Sequence, residues 1–177
     1  VTVTVTGGTA KCGEADYVAP ITVEHGDEPT FTFTADSGKI LDLAQIRAAG
    51  SETWTDIALT DGSYTLDAVT EDIQINVSFS LDQWNDEEDV LDDPDGIPDT
   101  RQALFIFLSE DDNGTVSGKT TQVVTIEKDA AGHYVASVTP ETVTVQAAQG
   151  YKFKNWTRDD TECDPFAAIQ AQGGSSY

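Results

Sequence analysis

Alternation with a period of two is the feature that most limits what this chain can fold into. Apolar and polar residues change places at each step in Val1-Thr2-Val3-Thr4-Val5-Thr6, Ile21-Thr22-Val23, Phe31-Thr32-Phe33-Thr34, Ile73-Gln74-Ile75-Asn76-Val77-Ser78-Phe79 and Val143-Thr144-Val145-Gln146. On a pleated strand this spacing puts Val, Ile and Phe on one face and Thr, Gln or Asn on the other, so each sheet has one dry face and one wet face. The wealth of β-branched Val and Thr suits half-buried strands. Between the runs fall Gly7-Gly8, His25-Gly26-Asp27, Asp36-Ser37-Gly38, Asp61-Gly62, Asn113-Gly114 and Ala131-Gly132. Such pairs supply the positive φ angles that tight hairpins demand. One stretch departs from the pattern: the apolar residues from Ile40 to Ala49 fit a helical face about as well as a strand. Its shortness and its place among hairpins favour a strand, with a short helical turn as the alternative. The expected fold class is all-β.

At 177 residues the chain is long enough for two small modules. A break in composition says where they part. From Asp82 to Asp99 there are nine acidic residues and no basic one, with Pro94, Gly96 and Pro98 interrupting any regular element. The expected organisation is a β module over 1–81, an acidic Asp/Pro-rich linker over 82–100 and a second β module over 101–177. The two halves share an order of signals. Gly8-Thr9-Ala10 is followed by Phe31-Thr32-Phe33-Thr34-Ala35 and Asp36-Ser37-Gly38-Lys39, and Gly114-Thr115-Val116 by Val143-Thr144-Val145-Gln146-Ala147 and Gln149-Gly150-Tyr151-Lys152. Similarity at this spacing is the mark of a tandem array.

Thirty-two acidic against nine basic residues give a formal charge of −23. Such a surface repels phosphate backbones and anionic headgroups, which argues against nucleic-acid and membrane-surface partners and suits solubility in a salty exterior. No run approaches the roughly 18–20 apolar residues of a membrane span. The chain opens within an alternating strand and ends in Gly173-Gly174-Ser175-Ser176-Tyr177, which reads as a segment of a longer repetitive polypeptide. Cys12 and Cys163 stand near opposite ends, and His25 and His133 lie in no zinc spacing with them. Independent thiols, a Cys12–Cys163 disulfide and a reactive thiol all stay open, because sequence does not supply the distance a bridge needs.

At VTVTVTGGTA, TFTFTADSGK and GSYTLDAVTEDIQINVSFS the first half resembles the divergent form of the bacterial internalin-type B-repeat modules. In the second half DGIPD, RQALFIFLSEDDNGTVSG and GYKFKNWT are similar to modules in which an Asp-Gly-Ile-Pro-Asp hinge precedes a glycine-anchored hairpin and an aromatic strand. The resemblance covers nearly the whole chain. It implies compact, grasp-like sheet modules repeated along a stalk between an adhesive tip and the cell wall, extracellular and anchored at the bacterial surface, with neighbouring repeats of the same chain as partners. Family modules close with an alternating strand after the tryptophan, and Thr161 to Tyr177 carries none.

One motif has coordination logic. Calcium takes roughly six to eight oxygens, and carboxylates at alternate positions around a glycine turn deliver several from one loop. In the loop pattern of the calcium-binding hand, Asp93, Asp95 and Asp99 fall on the third, fifth and ninth positions and the Ile97 carbonyl on the seventh. Leu91 occupies the first position and Gln102, rather than a bidentate glutamate, the twelfth; Asp89 or Asp92 would replace the first ligand if the backbone bends there. A bound ion would stiffen the joint; without one, repulsion would keep the linker extended. Catalysis is not expected, since no strand-to-helix nucleophile elbow exists and neither histidine sits in a recognisable motif. Tyr151, Phe153 and Trp156 could form a sugar platform, but large aromatics in small modules more often fill the core, and Trp54 and Tyr64 are read the same way. Trp84 is read as a cap over the junction. The expected function is a spacer, and the rival is a module that binds a glycan or a host protein.

Overall fold

The computed structural model describes residues 1–18, 20–85, 90–91, 93–109, 112–137 and 141–153. Among them the chain is all-β, with one 3₁₀ turn at Asp99–Arg101 and no α-helix. It divides into two compact units, Val1–Asp82 and Gln83–Tyr177.

The first unit has two four-stranded sheets. One holds β1 (Thr2–Thr6), β8 (Ile73–Leu81), β5 (Lys39–Ala48) and β6 (Thr55–Asp56) in that order. The other holds β3 (Ala15–Asp16), β2 (Gly8–Cys12), β4 (Thr30–Ala35) and β7 (Ser63–Thr65). The alternating residues of both sheets meet in a single core. Phe31, Ile75 and Val77 are at most 1% exposed, and Val3, Ala10, Phe33, Ala44 and Phe79 close around them. The wet faces carry the intervening Thr, Gln and Asn, as the period of two requires.

The Gly7-Gly8 step is a corner rather than the expected hairpin. β1 and β2 are consecutive but belong to opposite sheets, and the chain crosses between them with Gly7 at φ +74°. A side chain at Gly7 would strike the Phe79 carbonyl oxygen, and one at Gly8 the Thr34 carbonyl oxygen and the Phe79 ring. Because β1 does not fold back on β2, its edge is taken by β8, and the two run parallel from Thr2↔Gln74 to Thr6↔Ser78. The other edge of β1 is also held. Val1 and Ile21 exchange backbone hydrogen bonds of 2.8 and 3.0 Å, and the Val3 N–H donates to the Tyr17 hydroxyl at 2.8 Å. Ile21-Thr22-Val23, expected as a strand, is not one: its backbone meets β1 only through the Val1–Ile21 pair, while Ile21 and Val23 pack against the core.

The stretch from Ile40 to Ala49 is strand β5 up to Ala48, with Ala49 in the turn that follows, and its helix-like spacing has a local cause. Pairing with β8 passes from Leu41↔Phe79 to Leu43↔Ser78, so Asp42 bulges and accepts a hydrogen bond from the Ser80 hydroxyl at 3.0 Å. The extra residue puts Leu41, opposite Phe79, and Ala44, opposite Val77, three apart on one face of β5, where Ala44 is buried and Leu41, near the strand end, stays 41% exposed. Asp61-Gly62 forms the expected two-residue hairpin, with φ of +49° and +72° and reciprocal Thr60–Ser63 backbone bonds of 2.9 Å.

In the second unit β11 (Gln102–Ile106), β13 (Thr121–Lys128) and β14 (Tyr134–Ala136) form one antiparallel sheet, and β12 (Gly114–Gly118) pairs with β15 (Val143–Ala147). Ala103, Val123, Val124 and Ile126 are buried. The repeat seen in the sequence is a repeat of hydrogen-bond geometry. β2 pairs with β4 from Gly8↔Ala35 to Ala10↔Phe33, and β12 with β15 from Gly114↔Ala147 to Val116↔Val145. Each ladder is closed the same way: Asp36 N–H donates to Gly7 O at 2.9 Å, and Ala148 N–H to Asn113 O at 2.8 Å. Each then enters the same turn, with Lys39 N–H on Asp36 O and Tyr151 N–H on Ala148 O.

Gly7→Ala in the full chain should lower unfolding stability by about 1–3 kcal/mol, the strain of a side chain at positive φ plus displacement of Phe79, read as a lower urea midpoint; an unchanged midpoint refutes the corner argument. In the β13–β14 turn the Asp129 carboxylate accepts N–H bonds from His133 (2.9 Å) and Ala131 (2.8 Å), and the His133 bond above all holds its pKa below the ordinary 3.8. A depressed carboxylate stabilises the turn above its unfolded value, and this stabilisation disappears as pH falls through the lower folded value. A carboxyl NMR titration should therefore give Asp129 a midpoint below that of an ordinary aspartate.

Candidate cation loop

The acidic segment is not an extended linker where it is described. Asp82 is buried at the end of the first unit, and residues 83–101 belong to the second. β9 (Trp84–Asn85) pairs antiparallel with β10 (Val90–Leu91), and Asp93 N–H then donates to Gln83 O at 2.9 Å. The chain turns at Gly96, φ +86°, and the 3₁₀ turn at Asp99–Arg101 leads into β11 behind a buried Pro98.

Each carboxylate of the motif serves this turn. Asp95 Oδ1 accepts from Ile97 N–H at 2.7 Å, closing an Asx turn, while its Oδ2 accepts from the Gln102 amide nitrogen at 2.7 Å. Asp99 Oδ1 accepts from the N–H groups of Gln83 (2.9 Å) and Trp84 (3.2 Å), and Asp93 Oδ2 accepts from the Asn85 amide at 3.2 Å. Donors bonded to a charged acceptor offset the repulsion that a count of charges suggests. Asp93, Asp95, Asp99 and Ile97 thus share one short loop, with Gln102 at its exit. Asp89 and Asp92 lie outside the described residues. Among the described residues no three His, Cys, Asp or Glu side chains stand together closely enough to hold a metal ion by themselves.

Nothing in the sequence marks Gln102 beyond its departure from glutamate. The residue is 4% exposed, and its Oε1 is the buried side-chain polar atom without a hydrogen-bond partner among the described residues. A buried acceptor left in that state costs about 1–3 kcal/mol.

The remaining candidates are placed as follows. Cys12 is half-buried beside the core of the first unit, and Cys163 lies outside the described residues, as do Trp156 and the segment after it. Tyr64 packs on the core as expected. Trp54 does not: it sits on the outer sheet face, with the Arg47 guanidinium 4.3 Å above its ring and Arg47 Nε donating to Gln74 Oε1 at 2.7 Å. Tyr151 is 56% exposed and lies beyond β15 rather than in a strand, so the core role expected for it fails. Trp84 is half-buried in β9. Two open depressions of about 440 and 430 Å³ mark the first unit, one between β1 and Tyr17, the other near His25 and Asp72. No family model, curated protein or solved structure matches the chain.

Asp99 ties the incoming segment to the loop, so Asp99→Ala should destabilise the second unit by about 1–2 kcal/mol. Hydrogen exchange should rise at the Gln83 and Trp84 amides while β1 to β8 keep their protection; unchanged exchange at those two amides would refute the assignment.

Proposed function

We propose that this chain is a non-catalytic spacer: a tandem-repeat segment of an extracellular, wall-anchored bacterial surface protein, set between neighbouring repeats of the same polypeptide. The observation that carries the reading is the parallel pairing of the first and last strands of the first unit. Parallel neighbours place chain entry and chain exit at opposite ends. The seven residue steps from Gln74 to Leu81, at about 3.3 Å each, put the exit about 23 Å beyond the level at which Thr2 enters. A module threaded in this way adds length to a string of modules.

The same pairing suits the spacer to tension. Pulling Val1 and Leu81 apart drags β1 and β8 past each other, so the hydrogen bonds of the ladder are loaded together rather than one after another. By strand alternation Thr2, Thr4 and Thr6 turn their backbone groups to β8, while Val1 and Val3 are pinned on the opposite edge by Ile21 and Tyr17. The repeated β2–β4 and β12–β15 ladders and the resemblance to internalin-type repeats support a modular array. A formal charge of −23 suits an array that stays soluble outside the cell.

Single-molecule pulling tests the reading. With handles at positions 1 and 82 the first unit should resist to a clearly higher force than with handles at 38 and 82. The second geometry peels the antiparallel β5–β8 ladder from its Lys39↔Leu81 end. Equal forces in the two geometries would remove the mechanical basis of the spacer.

A further inference from the structure

The unsatisfied oxygen of Gln102 points beyond the spacer reading and does not rest on it. The two buried glutamines of the second unit are treated differently. Gln122 donates to the carbonyls of Lys119 (2.9 Å) and Glu141 (2.8 Å) and accepts from Glu141 N–H (2.8 Å). Gln102 spends its amide nitrogen on Asp95 and leaves Oε1 buried without a donor. Turning the amide over does not help, because it would set the amide oxygen against the Asp95 carboxylate, and neither of those groups donates. With the amide turned, a cation between the two oxygens would be held by both.

The position of Gln102 fits that role. Counting along the calcium-hand loop puts Asp93, Asp95, the Ile97 carbonyl and Asp99 on ligand positions and Gln102 on the position that closes the shell. Asp93 and Asp99 each commit one oxygen to N–H donors, which leaves the second oxygen of each to a ligand. A set of oxygens in which one amide and one backbone carbonyl join the carboxylates is hard-ligand chemistry, suited to calcium rather than to a softer metal.

We propose that Asp93, Asp95, Asp99, the Ile97 carbonyl and the Gln102 amide oxygen form a calcium site in which Gln102 stands where a hand loop uses a bidentate glutamate. One amide oxygen in place of two carboxylate oxygens weakens binding, which places the dissociation constant at about 0.1–1 mM, the range of extracellular modules.

The test is calorimetric titration of the full chain with calcium chloride in about 0.15 M KCl, where loose counterion attraction to exposed carboxylates is screened. One saturable site is expected. Gln102→Glu should tighten it about tenfold by restoring the second oxygen, and Asp95→Asn and Gln102→Leu should each weaken it at least about tenfold. Absence of saturable binding up to about 10 mM calcium overturns the proposal, as does binding that Gln102→Glu leaves unchanged, which would place the ion elsewhere on the acidic surface. The gain expected of Gln102→Glu keeps the test decisive if Gln102→Leu fails to fold.

Discussion

The first unit depends on the backbone at Gly7 and Gly8 passing directly against Phe79. Consecutive strands joined by a short connection ordinarily pair with each other, because the nearest free edge is the adjacent one. Here the connection carries no side chain, takes a positive φ and fits under the Phe79 carbonyl and ring, so it can change sheets instead of reversing within one. Two consequences follow. The inner faces of both sheets are supplied by neighbouring parts of the chain, which lets a small unit bury Phe31, Ile75 and Val77 almost completely. The edge of β1 is also left for β8, and that produces the one parallel pairing among the described strands.

Much of this fold is legible in the sequence because period two is a geometric signal: β1, β4, β8 and β15 fall on the alternating runs. What is not legible is how strands are partnered, since alternation marks faces and not edges. Gly7-Gly8 offers positive φ to a hairpin and to a corner alike, and only the distant Phe79 decides between them. The ambiguity of Ile40 to Ala49 came from the Asp42 bulge, which converts a spacing of two into one of three. The aromatics were harder to place for another reason. A Trp is as well served by an Arg guanidinium over its ring as by a core, so Trp54 rests under Arg47 on the wet face.

The two units preserve one ladder and differ elsewhere. Their Gly-initiated strands pair in the same register with partners that pass into the same glycine turn, although phenylalanines stand in one partner and valines in the other. Turn geometry fixes register, and register tolerates exchange of one apolar side chain for another so long as its face is kept. By contrast, the strand before the ladder pairs parallel with β8 in the first unit and antiparallel with β13 in the second. Similarity between the halves is therefore concentrated where the backbone, not the side chains, sets the structure.

The acidic segment shows where a count of charge stops being informative. Nine carboxylates in a row of eighteen residues read as a repelling, extended tether, because formal charge counts acceptors and ignores the donors that face them. Asp93, Asp95 and Asp99 instead receive N–H groups from the loop, from β9 and from Gln102, and the chain closes on itself. Gln102 is central to that closure. A glutamate at this position would set a fourth carboxylate against Asp95 and make the loop dependent on an ion for its shape, as in domains that fold only with metal. The amide instead donates to Asp95, and its carbonyl is left facing no donor. The residue that closes the turn on Asp95 is thus the same residue whose amide oxygen is left without a donor.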